Sequence, residues 1–349
     1  FDADAARLQQ GVELLGDHYW MGRPWRIGLK RYAARLSGGA PLTISLLPRR
    51  ADTAVHFDPA VAAPLDGAPQ RAVLRGATLH AEHALVVGGR AGFDVALSID
   101  DLPVHGPLPP LWTRERIART LLGAAREAGA PEILGLVNAI GVEQEPDSVA
   151  ALAAWAAEGQ PLGNHTHGHG ALSRAASLAV WQADVVAGEP LVERFGGGAA
   201  PRWFRHPFLD AGRGERAAAA QAWLQERGYR IADVSLGFKD WDYQAPFARC
   251  SAAGNDAALR SLRHHALQVF DAALADALAH ARQLHGRAVP LVLLLHAGAF
   301  SADLLPALLS RLREAGARFV PLAQAQADPV YAAGGGGSLF EREARRRGL

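Results

Sequence analysis

The histidines and aspartates of this chain include short segments whose composition suits metal-assisted hydrolysis. Asp100 and Asp101 are adjacent, and His165 and His169 are four positions apart. Imidazole and carboxylate groups bind zinc, and one Asp with two His would leave coordination positions open, as catalytic sites require. Two imidazoles at this spacing converge on one ion if a helical turn begins there. Neighbouring carboxylates at a strand end face opposite ways in regular β geometry, so one aspartate could bind the metal while the other acts as a base.

Each segment also has a purely structural explanation. The Asp-Asp pair before Pro103 could be a solubilising acidic turn. The histidine segment could be a polar loop, in which His167 points away from the other two histidines. Single motifs leave these alternatives open.

Three further polar residues are candidates for the same site. His296 ends the apolar run Leu291–Leu295, where a lone histidine is most often a satisfied core residue. Arg205 could hold a carboxylate through its fork of donors, or it could form an ordinary ion pair. Asp240 taken by itself would be assigned to a surface turn.

The composition argues against several classes of protein. Over 349 residues, 36 Lys and Arg are balanced by 35 Asp and Glu, which argues against a strongly basic nucleic-acid binder. A hydrophobic content of 49% with a net charge of +1 excludes global disorder. The apolar stretch Ala288–Leu295 is far shorter than the roughly 20 residues of a membrane helix. Cys250 is the single cysteine, so neither an intrachain disulfide nor a cysteine-based zinc site can form.

From residue 93 onward, short β-rich runs alternate with longer helical patterns. The predicted strands are Phe93–Ser98, Ile133–Ala139, Gln160–Thr166, Pro201–His206, Arg230–Leu236, Val289–His296 and Arg318–Pro321. The predicted helices are Thr113–Ala128, Ser148–Glu158, Ala171–Ala187, Glu215–Gly228, Ala257–Leu284 and Ala302–Ala315. Repeated βαβ units indicate an α/β protein with a mostly parallel sheet. About 240 residues of such alternation favour a closed or nearly closed (β/α) barrel, with a doubly wound open sheet as the alternative.

The candidate residues lie at or near the predicted carboxyl ends of the strands. Catalytic groups of (β/α) barrels lie at the carboxyl ends of the strands. The aspartate pair follows the first predicted strand, the histidine pair the third, Arg205 the fourth and His296 the sixth, while Asp240 comes shortly after the fifth. We therefore expect these side chains to meet at one end of the barrel.

Residues 1–90 differ in character and are expected to form a small β-rich accessory region of unknown role. A helix is plausible over Ala3–Leu15, followed by the aromatic residues Tyr19, Trp20 and Trp25 and by short β candidates at Leu42–Leu47, Ala54–Phe57, Arg71–Leu74 and Leu79–Val87. His80 and His83 could be a second ligand pair, but a solvated strand end explains them better. The barrel is expected over residues 91–329, and residues 330–349 are expected to be a flexible, charged tail.

Taken together, the polar segments resemble the polysaccharide deacetylase family, also called the NodB-homology domain or carbohydrate esterase family 4. The matching stretches, in the order of the family's motifs, are Ser98-Ile99-Asp100-Asp101, His165-Thr166-His167-Gly168-His169, Arg205-His206-Pro207-Phe208, Asp240-Trp241 and Leu293-Leu294-Leu295-His296. The chain departs from the family at Phe208, usually Tyr, at Ile99, usually Phe, and at Gly237, often Asp. These departures indicate a divergent member, and residues 1–90 lie outside the resemblance.

The resemblance implies a distorted (β/α) barrel of the NodB deacetylase type with one divalent metal ion, for which zinc is the first candidate. Asp101, His165 and His169 would be the metal ligands. Asp100 would be the general base, and Arg205 would orient it.

The resemblance also implies the remaining roles. His296 would be the general acid, positioned by Asp240. The backbone N–H of Phe208 would help to stabilise the oxyanion. Leu294 would line the pocket for the acetyl methyl group, with Trp241 packing nearby.

The implied reaction is hydrolysis of an N- or O-acetyl group on a polysaccharide or oligosaccharide, by water whose pKa the metal lowers towards about 7. The substrate would thus be an acetylated glycan. An amidohydrolase of the same fold acting on a small amide or imide is the alternative, and a non-catalytic glycan-binding barrel is a third hypothesis. The family also implies a secreted or periplasmic location.

Overall fold

The computed structural model describes residues 2–19, 41–52, 67–77, 92–196, 202–332 and 334–347, together with residues 25, 27, 29 and 65. The chain divides into two compact units, residues 1–85 and residues 86–349. No helix in the described part of the chain has both the length and the apolar character needed to cross a membrane.

The N-terminal unit contains an antiparallel three-stranded sheet in the order β2-β1-β3. Strand β1 is Ala5–Gln10, β2 is Glu13–Tyr19 and β3 is Leu42–Leu47. Two short strands, β4 (Arg49–Arg50) and β5 (Gln70–Arg71), pair separately in antiparallel fashion. The prediction of a β-rich region therefore holds for the described residues.

The helix expected over Ala3–Leu15 is wrong. Ala6 and Leu8 are buried while Arg7 between them is exposed, which is the two-residue period of a strand. Gly11 then reverses the chain with a φ of +61°, a conformation that favours glycine.

Several sequence predictions for this unit lie outside the described residues. They are the strands at residues 54–57 and 79–87 and the residues Trp20, His80 and His83.

The second unit is built on a seven-stranded parallel sheet. Its strands are β6 (Phe93–Leu102), β7 (Ile133–Val137), β8 (Leu162–Asn164), β9 (Arg202–Phe204), β10 (Tyr229–Ile231), β11 (Leu291–His296) and β12 (Ala317–Phe319). The order is β10-β9-β8-β7-β6-β11, and β12 also pairs with β6. The predicted α/β class is confirmed.

Backbone hydrogen bonds bring the two ends of this sheet together. Beyond β10, Leu236 forms a parallel bridge with Leu293 of β11. The N–H of Leu294 donates to the carbonyl of Leu236 at 2.9 Å, and the N–H of Ser235 donates to the carbonyl of Val292 at 3.1 Å. The sheet therefore curls into a distorted barrel, as predicted, and the open doubly wound sheet is wrong.

Helices cover the outside of the barrel and bury their apolar faces against the strands. They are α1 (Arg114–Glu127), α2 (Ile140–Gln144), α3 (Val149–Ala157), α4 (Leu178–Gly196), α5 (Gly214–Glu226), α6 (Gln244–Ala252), α7 (Asp256–His285), α8 (Ala299–Glu314), α9 (Leu322–Ala325) and α10 (Leu339–Arg346). Thr113 caps α1, because its side chain accepts a hydrogen bond from the N–H of Arg116 at 3.0 Å. Helix α4 begins later than predicted, because the chain before it forms a loop and the 3-10 turn Leu172–Arg174.

The segment expected to be a flexible tail contains α10, which is anchored by apolar residues. Leu339 and Phe340 are buried at its start. Ahead of the helix, Gly336 has a φ of +67° and approaches the ring of His206 so closely that a Cβ would lie 2.9 Å from it. Glycine content and charge suggested a solvated end, but burial of the apolar side chains of Leu339 and Phe340 favours docking of the helix.

Candidate active site

Parallel pairing of β6 with β11 places an aspartate beside a histidine. In this register Asp100 is the direct partner of His296, the last residue of β11. Both strands are apolar runs buried in the sheet, so their polar carboxyl ends emerge at the same edge. Residues almost 200 positions apart are thus adjacent.

An irregularity in β6 turns both aspartates toward the same histidine. The register with β7 shifts between Ile99 and Leu102, and Asp101 is left-handed with a φ of +61°. As a result, His165 Nε2 lies 3.6 Å from Asp100 Oδ2 and 3.5 Å from Asp101 Oδ1. The expectation that the two carboxylates face opposite ways is wrong, because it assumed an unbroken strand.

His165 and His169 converge through a loop and not through a helical turn. Their ring centroids are 5.0 Å apart, and φ is +63° at Thr166 and +56° at His169. The carboxylate of Asp184, on α4, accepts two backbone N–H groups of this loop, at 2.8 and 3.4 Å. Left-handed backbone at residues other than glycine persists only where its surroundings hold it, and Asp184 supplies such contacts. Sequence reasoning missed Asp184.

Asp101, His165 and His169 form a group that could hold a metal ion. Their ligand atoms all lie within 4.8 Å of one another. Asp101 Oδ1 is buried without a hydrogen-bond donor, and it lies 3.2 Å from His169 Nε2. Buried carboxylate oxygens are rarely left unsatisfied, and a cation at this position would satisfy this one. One carboxylate and two imidazoles also form a donor set that suits a catalytic zinc ion.

A backbone carbonyl group fixes the tautomer of His165. His165 Nδ1 lies 2.8 Å from the backbone carbonyl of Arg205, and a carbonyl can only accept, so Nδ1 carries the proton. In the neutral ring, Nε2 then has a free lone pair directed at the aspartates. Such support behind a ligand orients the ring and raises its basicity toward a metal.

Asp101 has a second partner that sequence reasoning missed. His105 Nδ1 lies 2.6 Å from Asp101 Oδ2. Burial by itself raises the pKa of Asp101, but this hydrogen bond and the electrostatic influence of the neighbouring histidines outweigh it and hold the pKa well below its usual range. Asp101 is therefore ionised. The available signal was the position of His105, four residues after Asp101.

Burial lowers the pKa of His169 and outweighs the attraction of Asp101, which acts in the opposite direction. The imidazole is thereby kept in the neutral form that a metal ligand requires.

Arg205 is fully buried and holds Asp100. Its Nη1 lies 2.5 Å from Asp100 Oδ1, and its Nε donates to the carbonyl of Ala232 at 2.8 Å. Its Nη2 lies 3.5 Å from the carbonyl of Asp233. With Oδ1 occupied by the guanidinium, Asp100 Oδ2 is the oxygen that faces His165.

Asp240 holds His296 and is itself held by Ser301. Asp240 Oδ1 lies 2.9 Å from His296 Nδ1, and the hydroxyl of Ser301 donates to Asp240 Oδ2 at 2.6 Å. Burial acts to lower the pKa of His296, but the charge and the hydrogen bond of Asp240 outweigh it and raise the pKa to about 9. His296 is therefore a cation at neutral pH. Sequence reasoning missed Ser301, which is 61 positions from Asp240 and belongs to no motif.

The remaining predicted residues surround these groups. Phe208 has a φ of +58°, is 60% exposed, and its ring centroid lies 4.4 Å from that of His169. Leu294 lies two residues before His296 on β11, so its side chain is on the same face of the strand. Trp241 follows Asp240 in a 3-10 turn and is 42% exposed.

No protein-family model matches the chain, and no curated protein sequence matches it. Solved structures of carbohydrate esterase family 4 proteins, the family that the motifs resemble, are similar to it. A peptidoglycan N-acetylglucosamine deacetylase is 20% identical, with a TM-score of 0.43 over 68% of this chain and 90% of that one. A polysaccharide deacetylase from Bacillus cereus is 19% identical, with a TM-score of 0.44 over 66% and 91% of the two chains. A pseudoenzyme of the family from Bacillus anthracis is 12% identical, with a TM-score of 0.45 over 68% and 66%.

Proposed function

We propose that the chain is a metal-dependent hydrolase that removes acetyl groups, bound through nitrogen or oxygen, from a polysaccharide or oligosaccharide. One observation carries the proposal: a potential metal site of Asp101, His165 and His169 lies beside an aspartate and a cationic histidine paired in register. A protein that only binds a glycan has no need of this combination. When bound, the ion would polarise the acyl oxygen and lower the pKa of water.

Asp100 is the base in this proposal. Arg205 occupies Oδ1, so Oδ2 would accept the proton of the attacking water. Asp100 and Arg205 are both buried, and an ion pair fixed in this way presents its free oxygen in one orientation.

His296 is the acid. Its Nδ1 faces Asp240, so Nε2 would deliver the proton to the leaving nitrogen or oxygen. A pKa near 9 keeps that proton in place at neutral pH until the leaving group needs it.

The surrounding residues would bind the acyl group. The backbone N–H of Phe208 would donate to the developing oxyanion, and one such donor contributes roughly 3 to 4 kcal/mol. Leu294 would line the space for the methyl group, and the exposed ring of Trp241 would contact the sugar.

The test combines metal content with acetate release. Zinc-reconstituted protein is assayed for acetate on N-acetylglucosamine oligosaccharides, O-acetylated xylan oligosaccharides and a set of small amides. We expect about one ion per chain and acetate from one of the glycans, with both lost in His165→Ala. His167→Ala is the matched control, since His167 Nε2 lies 3.0 Å from Glu143 and outside the ligand group. Turnover of small amides alone would favour the amidohydrolase hypothesis. Metal-loaded protein without any turnover would overturn the proposal that the chain is an enzyme.

A further inference from the structure

A cavity of about 510 Å³ lies beside the loop that carries Phe208, and none of its lining residues was a sequence candidate. They are Ser173, Asp210, Gly212, Arg213 and Arg216. Its volume is within the roughly 300 to 1,000 Å³ that small-molecule sites occupy. The cavity is therefore large enough to take part of a ligand.

The one carboxylate in the cavity is already satisfied. Asp210 accepts the hydroxyl and, at 3.3 Å, the N–H of Ser173, and it accepts the N–H of Gly212 at 2.9 Å. These bonds join the 3-10 turn Leu172–Arg174 to the loop after Phe208. Asp210 thus stabilises the wall of the cavity and is not free to bind a cation.

The guanidinium groups of Arg213 and Arg216, which line the cavity, form no ion pair with the acidic side chains that the structure describes. Arg216 Nη1 donates to the carbonyls of Leu172 at 3.4 Å and Ala175 at 3.0 Å, which hold the group in place while leaving its charge uncompensated. Within the described part of the chain, Arg213 forms no ion pair, and its side chain makes no capping bond at the start of α5. Burial acts to raise the pKa of Asp210, but the hydrogen bonds to its carboxylate outweigh burial, lower the pKa and keep it ionised. Two arginines and one aspartate therefore leave the cavity with an excess of one positive charge.

Phe208 contacts the proposed active site and belongs to the segment that leads along the chain to the cavity residues Asp210, Gly212 and Arg213. The Phe208 ring lies against His169 on one side, and the Arg174 guanidinium carbon lies 5.3 Å from its centroid. Arg213 is five residues beyond Phe208, so the two lie within about 17 Å of each other. A ligand whose acyl group is at the metal ligands could therefore extend past Phe208 toward Arg213.

We propose that this cavity binds an anionic group, a carboxylate or a phosphate, on a sugar neighbouring the one that is deacetylated. The inference rests on the proposed function and narrows its substrate class to acidic glycans. The planar fork of arginine matches both oxyanions, and two arginines lining one cavity favour them over neutral sugars.

The experiment measures anion binding without turnover. Inorganic phosphate and D-glucuronate are titrated calorimetrically, at low ionic strength, into the zinc-loaded full chain and into Arg213→Gln, Arg213→Lys and Arg260→Gln. Arg260 is the matched control, because it is exposed on α7 and does not line the cavity. An anion bound at the zinc ion would have the same affinity for all these proteins.

We expect at least a tenfold loss of affinity for one of the two probes in Arg213→Gln, a smaller loss in Arg213→Lys and none in Arg260→Gln. The preferred probe then distinguishes a phosphate-bearing glycan from a uronate. Equal affinities in Arg213→Gln and Arg260→Gln, or no binding of either anion to the wild type, would overturn the proposed anion site. Acetate release with no anion binding defeats this inference alone, whereas anion binding without acetate release from any glycan defeats the proposed function alone.

Discussion

Asp240 contacts His296 twice, through the ring and through the backbone. Its Oδ1 lies 2.9 Å from Nδ1, and its Oδ2 accepts the backbone N–H of His296 at 2.7 Å. One carboxylate therefore fixes both the position of the residue and the rotation of its imidazole. Only Nε2 is left free, which determines the direction in which His296 can deliver a proton.

Replacing Asp240 by Asn should lower the pKa of His296. In the metal-free wild type, NMR titration of His296 should give a pKa of about 9, and Asp240→Asn removes the largest contribution that raises it. A pKa raised in the folded state stabilises the protein fully below the unfolded value of about 6.5, and the stabilisation is lost as pH rises through the folded value. The wild type should thus lose on the order of 3 kcal/mol more unfolding free energy between pH 6 and pH 10 than Asp240→Asn. Parallel losses in denaturant titrations would contradict this assignment.

Removing the hydroxyl of Ser301 should destabilise the protein. Ser301→Ala leaves Asp240 Oδ2 with one donor fewer in a buried site. Hydrogen bonds to charged groups contribute about 1.5 to 3 kcal/mol, and we expect a loss of about 2 kcal/mol in urea unfolding. Ser310→Ala is the control, because Ser310 is exposed on the same helix. Equal stability of the two variants would show that the Ser301 bond has no net effect.

Arg205 and Asp100 should be energetically coupled. Arg205→Ala leaves a buried carboxylate unpaired, and breaking a buried pair in this way costs about 3 to 5 kcal/mol. In an Asp100→Asn background the same substitution should cost less, since the charge is already gone. A double-mutant cycle on unfolding free energies measures the difference, and additive effects would be evidence against the pair.

His105 should support metal binding without being a ligand. Its Nδ1 holds Asp101 Oδ2, which leaves Oδ1 for the ion. Loss of such outer support reduces metal affinity by about 10 to 100-fold. We expect this loss in His105→Phe in competition with a fluorescent zinc chelator, while His264→Phe, on the exposed surface of α7, retains wild-type affinity. Wild-type affinity in His105→Phe would remove His105 from the site.

The arrangement of strands made part of the site predictable. Asp100 and His296 follow apolar runs, and parallel strands necessarily bring their carboxyl ends to one edge, so proximity followed from topology. The common orientation of Asp100 and Asp101 could not be predicted, because it depends on a register shift and a left-handed residue that no residue type requires.

The hydrogen bonds of Ser301 and His105 could not be predicted from the sequence for a different reason. Ser301 and His105 act through single hydrogen bonds whose partners are defined only by packing. In the N-terminal unit, the seven-residue separation of Leu8 and Leu15 fits a helix, but the turn at Gly11 places them on two strands. Such local ambiguity is resolved by tertiary pairing.

Helix α10 contains a residue, Arg342, that is linked to the candidate site through Asp233. Arg342 Nη1 lies 2.8 Å from Asp233 Oδ1, and the carbonyl of the same Asp233 lies 3.5 Å from the guanidinium that holds Asp100. Deletion of α10 would remove Arg342 and leave the buried Asp233 without this partner. Engineered variants of this protein should therefore retain α10.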